Sequence, residues 1–155
     1  MKNTTFINPN GMPGEGGAFT TARDMAILAH SYITRFPWTL EAIHSKTSFT
    51  YNNITQSNAN RLLGKYPEVD GLKTGFTKAS GYHVIVTAMK GMERHIIVVM
   101  GAGTFEIRNE EAALFLEEIL DISPSQTAPP SLITIEPYIP LPSARTIQKP
   151  PEKNL

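Results

Sequence analysis

A lysine, a threonine and a glycine stand side by side in Val69-Asp70-Gly71-Leu72-Lys73-Thr74-Gly75-Phe76-Thr77. At the end of an edge strand this order has a chemical use. Lys73 supplies a fixed positive charge for an anionic ligand. Thr74 supplies a short hydroxyl donor. Gly75 lets a ligand lie against the strand with no Cβ in the way. The same tripeptide also fits a solvated Lys-Thr pair followed by a turn glycine, and the three residues alone leave both readings open.

Other residue types that do chemistry are scattered. The histidines His30, His44, His83 and His95 form no His-x-x-x-His pair and have no acidic cluster beside them, so no metal site is expected. They read as core or surface residues, with His83 and His95 facing each other across a hairpin. Gly14-Glu15-Gly16-Gly17 lacks the Lys-Ser/Thr and the preceding strand of a phosphate loop. Glu110-Glu111 and Glu117-Glu118 fit the wet side of a helix. Cysteine is absent, which excludes disulfides and thiolate chemistry.

The elements that must position Lys73 and its neighbours follow from pattern. Thr21 starts a helix with Asp24 as a capping-box-like partner, and Ala22, Met25, Ala26, Ala29, Ile33 and Phe36 recur at helical spacing until Pro37. Trp38 to Ile43 adds a short turn. Thr47 to Tyr51 is β-branched and aromatic, and Val69 to Thr74 is a strand bounded by Gly75. Tyr82 to Met89, the turn Lys90-Gly91-Met92-Glu93, and Arg94 to Gly101 make a hairpin. Both of its strands are apolar on both faces, which predicts a central place with helices above and below. A last helix fits Phe105 to Leu120, with a stripe of Ala112, Phe115, Leu116, Ile119 and Leu120. The fold class is α/β of the α+β type: a mainly antiparallel sheet covered by helices on both faces.

The chain has 155 residues, enough for one domain. With 14 basic and 14 acidic residues, the balance gives no support for nucleic-acid or polybasic membrane binding. At 41% hydrophobic residues a core is expected, and no apolar run reaches membrane-spanning length. All 11 glycines lie at or before Gly103, and most of the 12 prolines at or after Pro124. This divides the chain into a folded part, 1–122, and a proline-rich linker or tail, 123–155, in which Leu132-Ile133-Thr134-Ile135 is a candidate strand. Met1 to Phe6 has no signal-peptide core, so either the protein is cytoplasmic or an export signal lies elsewhere.

Six motifs occur in one order: Asn8-Pro9-Asn10-Gly11-Met12, Thr21-Ala22-Arg23-Asp24-Met25-Ala26, Asn58-x-Asn60-x-Leu62-Leu63, Val69 to Gly75, Ser80-Gly81-Tyr82 and Thr104-Phe105-x-x-Arg108. Together, over about residues 3 to 121, they resemble the serine-type D-Ala-D-Ala carboxypeptidases, the low-molecular-mass penicillin-binding proteins, whose chemistry is serine acyl transfer. The resemblance implies a β-lactamase/transpeptidase-like fold acting on peptidoglycan pentapeptides and bound by β-lactams, with no cofactor. It implies that Lys73 is catalytic and lines the substrate site, that Thr74 and Arg108 hold the terminal carboxylate with Gly75 beside them, and that the Phe76 backbone N–H is half of an oxyanion hole. Many relatives carry histidine where Phe76 stands and arginine where Ala59 stands. The family's Ser-x-x-Lys and Ser-x-Asn do not occur among these 155 residues. The chain is therefore expected to be the C-terminal part of such a domain, extracytoplasmic, with any membrane association made through segments outside it. A β-lactamase, and a non-catalytic module that binds wall peptides or completes a partner's fold, are the rival expectations.

Overall fold

The computed structural model describes residues 1–124. The tail beyond them, with the candidate strand at 132–135, lies outside the described residues. Helix α1 runs Ala22–Arg35 and opens on Thr21, whose hydroxyl accepts the Asp24 N–H at 3.1 Å. Asp24 does not complete a reciprocal box. Its carboxylate instead accepts from the Asn3 N–H at 2.8 Å and the Thr4 hydroxyl at 2.7 Å, which pins the N-terminal segment to the helix. The expected turn after Pro37 is a short π-helix, Leu40–His44.

Strands β1 (Ser48–Tyr51) and β2 (Ile54–Ser57) form a separate two-stranded hairpin. Strands β3 (Val69–Thr77), β4 (Gly81–Lys90) and β5 (Glu93–Ala102) form an antiparallel sheet in the order β3-β4-β5. Helix α2, Phe105–Leu120, follows directly, capped by the Thr104 hydroxyl accepting the Ile107 N–H at 3.2 Å. Its C-terminal carbonyls at Leu120 and Asp121 receive the Lys90 ammonium.

The core forms where sheet and α2 meet. Val84, Val86, Ala88, Ile97 and Val99 pack with Ala112, Ala113, Leu116 and Leu120, joined by Leu62, Tyr66 and Val69. Helix α1 packs on β4 and β5. Its buried Ala29 and Ile33 stand outside that cluster, so the sheet is covered on both faces. The α2 stripe is narrower than its sequence suggests. Ala112, Leu116 and Leu120 point inward, while Phe115 and Ile119 are about half exposed. Glu117 is not wholly solvated, because the buried Tyr66 hydroxyl donates to it.

Two expectations about β3 and β4 change. The strand β3 does not stop at Gly75 but continues to Thr77, because Gly75 keeps an ordinary strand partner, His83. His83 and His95 do not face each other. The turn pairs Lys90 with Glu93, which sets His95 opposite Ala88 and leaves His83 beside the β5 bulge near Gly101.

Candidate active site

Lys73, Thr74, Gly75 and Phe76 lie on β3, an edge strand of the described sheet. Alternation puts Lys73 and Gly75 on one face, Thr74 and Phe76 on the other. Outward-pointing backbone groups of such an edge are open to an extended ligand. Lys73 is exposed, and its ammonium donates to the Thr74 carbonyl. Thr74 is half-buried. Phe76 is exposed, its ring 4.3 Å from that of Tyr82 across the pair. A Cβ at Gly75 would meet only His83, at 3.8 Å, an ordinary contact. The fold itself therefore leaves room for a side chain there.

Behind Lys73, β3 is anchored. Asp70 accepts from Arg94 at 2.8 Å and from Thr87 at 2.7 Å, which ties β3 to β4 and β5. The buried Asn60 donates to the Gly71 carbonyl at 3.0 Å, while its own side-chain oxygen accepts the Leu62 N–H and its backbone N–H donates to Asn58. The Asn-x-Asn stretch is thus a clamp on β3, a role the sequence signals only as two amides in a turn-forming run.

Arg108 is buried in the first turn of α2. Nη2 donates to the Ala59 carbonyl at 3.2 Å, and Nε and Nη2 donate to the Asn109 side chain at 3.2 and 2.8 Å. The Ala59 contact is made by main chain, so the alanine serves it as well as another residue would. Among the described residues Nη1 has no hydrogen-bond partner, and no hydrogen bond joins Arg108 to Lys73 or Thr74. Burial lowers the guanidinium pKa; the nearby Tyr82 phenol opposes that, and Arg61 adds to it. The chain Arg108–Ala59–Asn60–Gly71 connects the start of α2 to β3 two positions before Lys73.

Sequence reasoning missed a polar cluster at the other end of β3. His83 bridges Ser80 and the Gly101 N–H, and Ser80 meets the Thr77 hydroxyl. Burial, then the Arg108 charge, holds the His83 pKa below the ordinary imidazole value. Among the described residues no cluster of three or more His, Cys, Asp or Glu side chains is placed to hold a metal.

An edge strand bearing Lys-Thr-Gly, on a sheet covered by helices, is the arrangement expected of the penicillin-binding transpeptidase-like class, and comparison with known proteins shows that class. The model of the D-alanyl-D-alanine carboxypeptidase family matches residues 1–104, and the chain belongs to that family. It is 42% identical over 135 residues to the D-alanyl-D-alanine carboxypeptidase DacC of Escherichia coli, covering 82% of this chain and 33% of that protein. The structure of penicillin-binding protein 5 from Haemophilus influenzae is similar with TM-score 0.70 and 36% identity, over 78% of this chain and 35% of that one. Penicillin-binding protein D2 of Listeria monocytogenes, solved in its cefotaxime-bound form, is similar with TM-score 0.67 and 36% identity, over 75% and 47%. The chain thus spans about a third of the length of the curated relatives it matches.

Proposed function

We propose that this chain supplies one wall of the active site of a serine-type D-alanyl-D-alanine carboxypeptidase acting on peptidoglycan stem peptides outside the cytoplasm. The observation that carries the reading is Lys73-Thr74-Gly75 on an open edge strand. The substrate's terminal segment lies along β3, over the space that Gly75 leaves. Thr74 donates to the terminal D-Ala carboxylate, and the unengaged Nη1 of Arg108 pairs with it. A guanidinium suits a carboxylate because it offers parallel N–H donors and keeps its charge even when buried. Lys73 sits beside the reacting centre and lowers the energy of negative charge there. The Phe76 N–H donates to the oxyanion as the tetrahedral intermediate forms.

The nucleophile is a serine outside these 155 residues. It attacks the penultimate D-Ala carbonyl, terminal D-Ala leaves with a proton, and water hydrolyses the acyl-enzyme. β-Lactams acylate the same serine; cefotaxime and ampicillin, bound in the structures of a similar penicillin-binding protein, support that ligand class. Release of D-Ala from a D-Ala-D-Ala peptide by the intact protein, lost in Lys73→Ala, is the expected result. An intact protein that binds the peptide but releases no D-Ala would overturn the reading.

A further inference from the structure

Four residues around the β3–β4 turn form a directed chain of hydrogen bonds that acyl transfer does not use. The Gly101 N–H on β5 lies 3.0 Å from Nδ1 of His83, and Nε2 of His83 lies 2.9 Å from the Ser80 hydroxyl. That hydroxyl meets the Thr77 hydroxyl, whose oxygen also accepts the Ser80 N–H at 3.1 Å. A backbone N–H can only donate, so Nδ1 carries the lone pair. The neutral ring then holds its proton on Nε2 and donates it to Ser80, whose own hydrogen points to Thr77. This arrangement excludes His83 as a base for Ser80, because the nitrogen facing the hydroxyl is already protonated.

We propose that neutral His83 is a positioning residue of the candidate site, tying the end of the Lys73-bearing strand to the segment of β5 that leads into the Arg108 helix. The inference rests on the carboxypeptidase reading for its functional consequence and on the hydrogen bonds for the tie itself. His83 is the cross-strand partner of Gly75 on β4, and its ring reaches Gly101, three residues before the α2 cap at Thr104. One imidazole therefore sets the spacing between the two elements that carry Thr74, Phe76 and Arg108.

A proton on Nδ1 would point at the Gly101 N–H and break the tie. Burial of the ring disfavours that proton most, and the Arg108 charge on helix α2 adds to it. Of the other charged or titratable groups, Lys73 of β3 stands on the face of Gly75, and Tyr82 precedes His83 on β4. Residues 100–102 of β5 carry no titratable group, and on α1 the Asp24 carboxylate is occupied by Asn3 and Thr4. The tie is intact at neutral pH and opens in acid.

The test uses the intact protein with the variants His83→Ala and His83→Asn. An asparagine amide oxygen falls near the place of Nδ1 and can accept from Gly101, but it does not titrate. His83→Ala should lower kcat/KM for a D-Ala-D-Ala peptide about tenfold, the worth of one lost hydrogen bond at the upper end of the usual range. His83→Asn should regain most of that loss and flatten the acid limb of the pH profile. Nitrogen NMR of the ring should show unprotonated Nδ1, and Gly101 amide exchange should quicken in His83→Ala. Wild-type kinetics and acid limb in His83→Ala would overturn the proposal. If the wild type releases no D-Ala, the carboxypeptidase reading fails separately, and Gly101 exchange decides the tie: unchanged protection in His83→Ala overturns it.

Discussion

Gly75 separates the needs of the fold from those of the ligand. A Cβ there meets His83 only at 3.8 Å, so Gly75→Ala should leave stability within about 1 kcal/mol of the parent. The same methyl would stand where the substrate lies against β3, so acylation of the intact protein by penicillin should fall. A thermal melt beside an acylation time course checks both, and a large loss of stability would make Gly75 a structural glycine. Lys73 and Arg108 should differ in kind. Lys73→Ala should slow acylation by peptide and by penicillin alike. Arg108→Ala should act mainly on a free C-terminal carboxylate, costing about 1.5–3 kcal/mol, tenfold to a hundredfold, against an acid peptide and less against its amide. Equal losses on the matched acid and amide peptides would leave Arg108 as a structural residue only, the partner of Ala59 and Asn109. Lys73, Thr74 and Arg108 could be singled out because they stand in ordered motifs, and their roles are proposals. The role of His83 was not legible, because it depends on hairpin register: facing pairs must be equidistant from the Lys90–Glu93 pair, and His83 and His95 are not.

At the scale of elements, periodicity located α1, α2 and the β4–β5 hairpin, whose apolar residues are set by contact with a core. It missed β2, since every residue of β1 and β2 is exposed and burial imposes no alternation on them. The signal present was Asn52-Asn53, both at positive φ (49° and 61°), a two-residue turn that asparagine tolerates. The hold on β3 rests on amides whose partners are distant in sequence, which spacing cannot reveal. Asn60→Ala should cost about 1–3 kcal/mol, because it leaves the Gly71 carbonyl unpaired in a buried setting; chemical denaturation measures this, and a neutral result would mean water replaces the amide. Gly81 is a stricter case. It has φ +79°, and a Cβ would lie 2.6 Å from the Ala102 carbonyl oxygen. Gly81→Ala should therefore force the start of β4 away from the end of β5 and lower the melting point far more than Gly75→Ala.

The whole molecule covers its sheet but leaves much apolar surface elsewhere. Val86 and Ile97 are buried under α2, and Ile85 and Val98 on the other face are half-buried. Trp38, Phe49, Tyr51, Ile54, Leu114, Phe115 and Ile119 are about half exposed or more. Taken alone, the 155-residue chain should melt at low temperature with a broad transition and bind a hydrophobic dye, since marginal stability leaves little margin for uncovered surface. A sharp monomeric melt at high temperature would contradict this. Acid should weaken the fold. Burial depresses the pKa values of both His44 and His83 below 6.5. Their contribution to stability is complete above 6.5 and is lost as pH falls through the lowered folded values, where the unfolded chain binds more protons. Melting temperature followed downward from neutral pH should show that fall, and His83→Asn should reduce it.

The most direct measurement locates the acyl group. The intact protein is incubated with penicillin, digested, and the penicilloyl peptide is identified by mass. A single adduct on a serine of a Ser-x-x-Lys outside these 155 residues, formed more slowly in Lys73→Ala, is the result the account predicts. The isolated chain should form none. An adduct on any serine within residues 1–155, or labelling indifferent to Lys73, would contradict the assignment of this chain as the Lys-Thr-Gly wall of a serine carboxypeptidase.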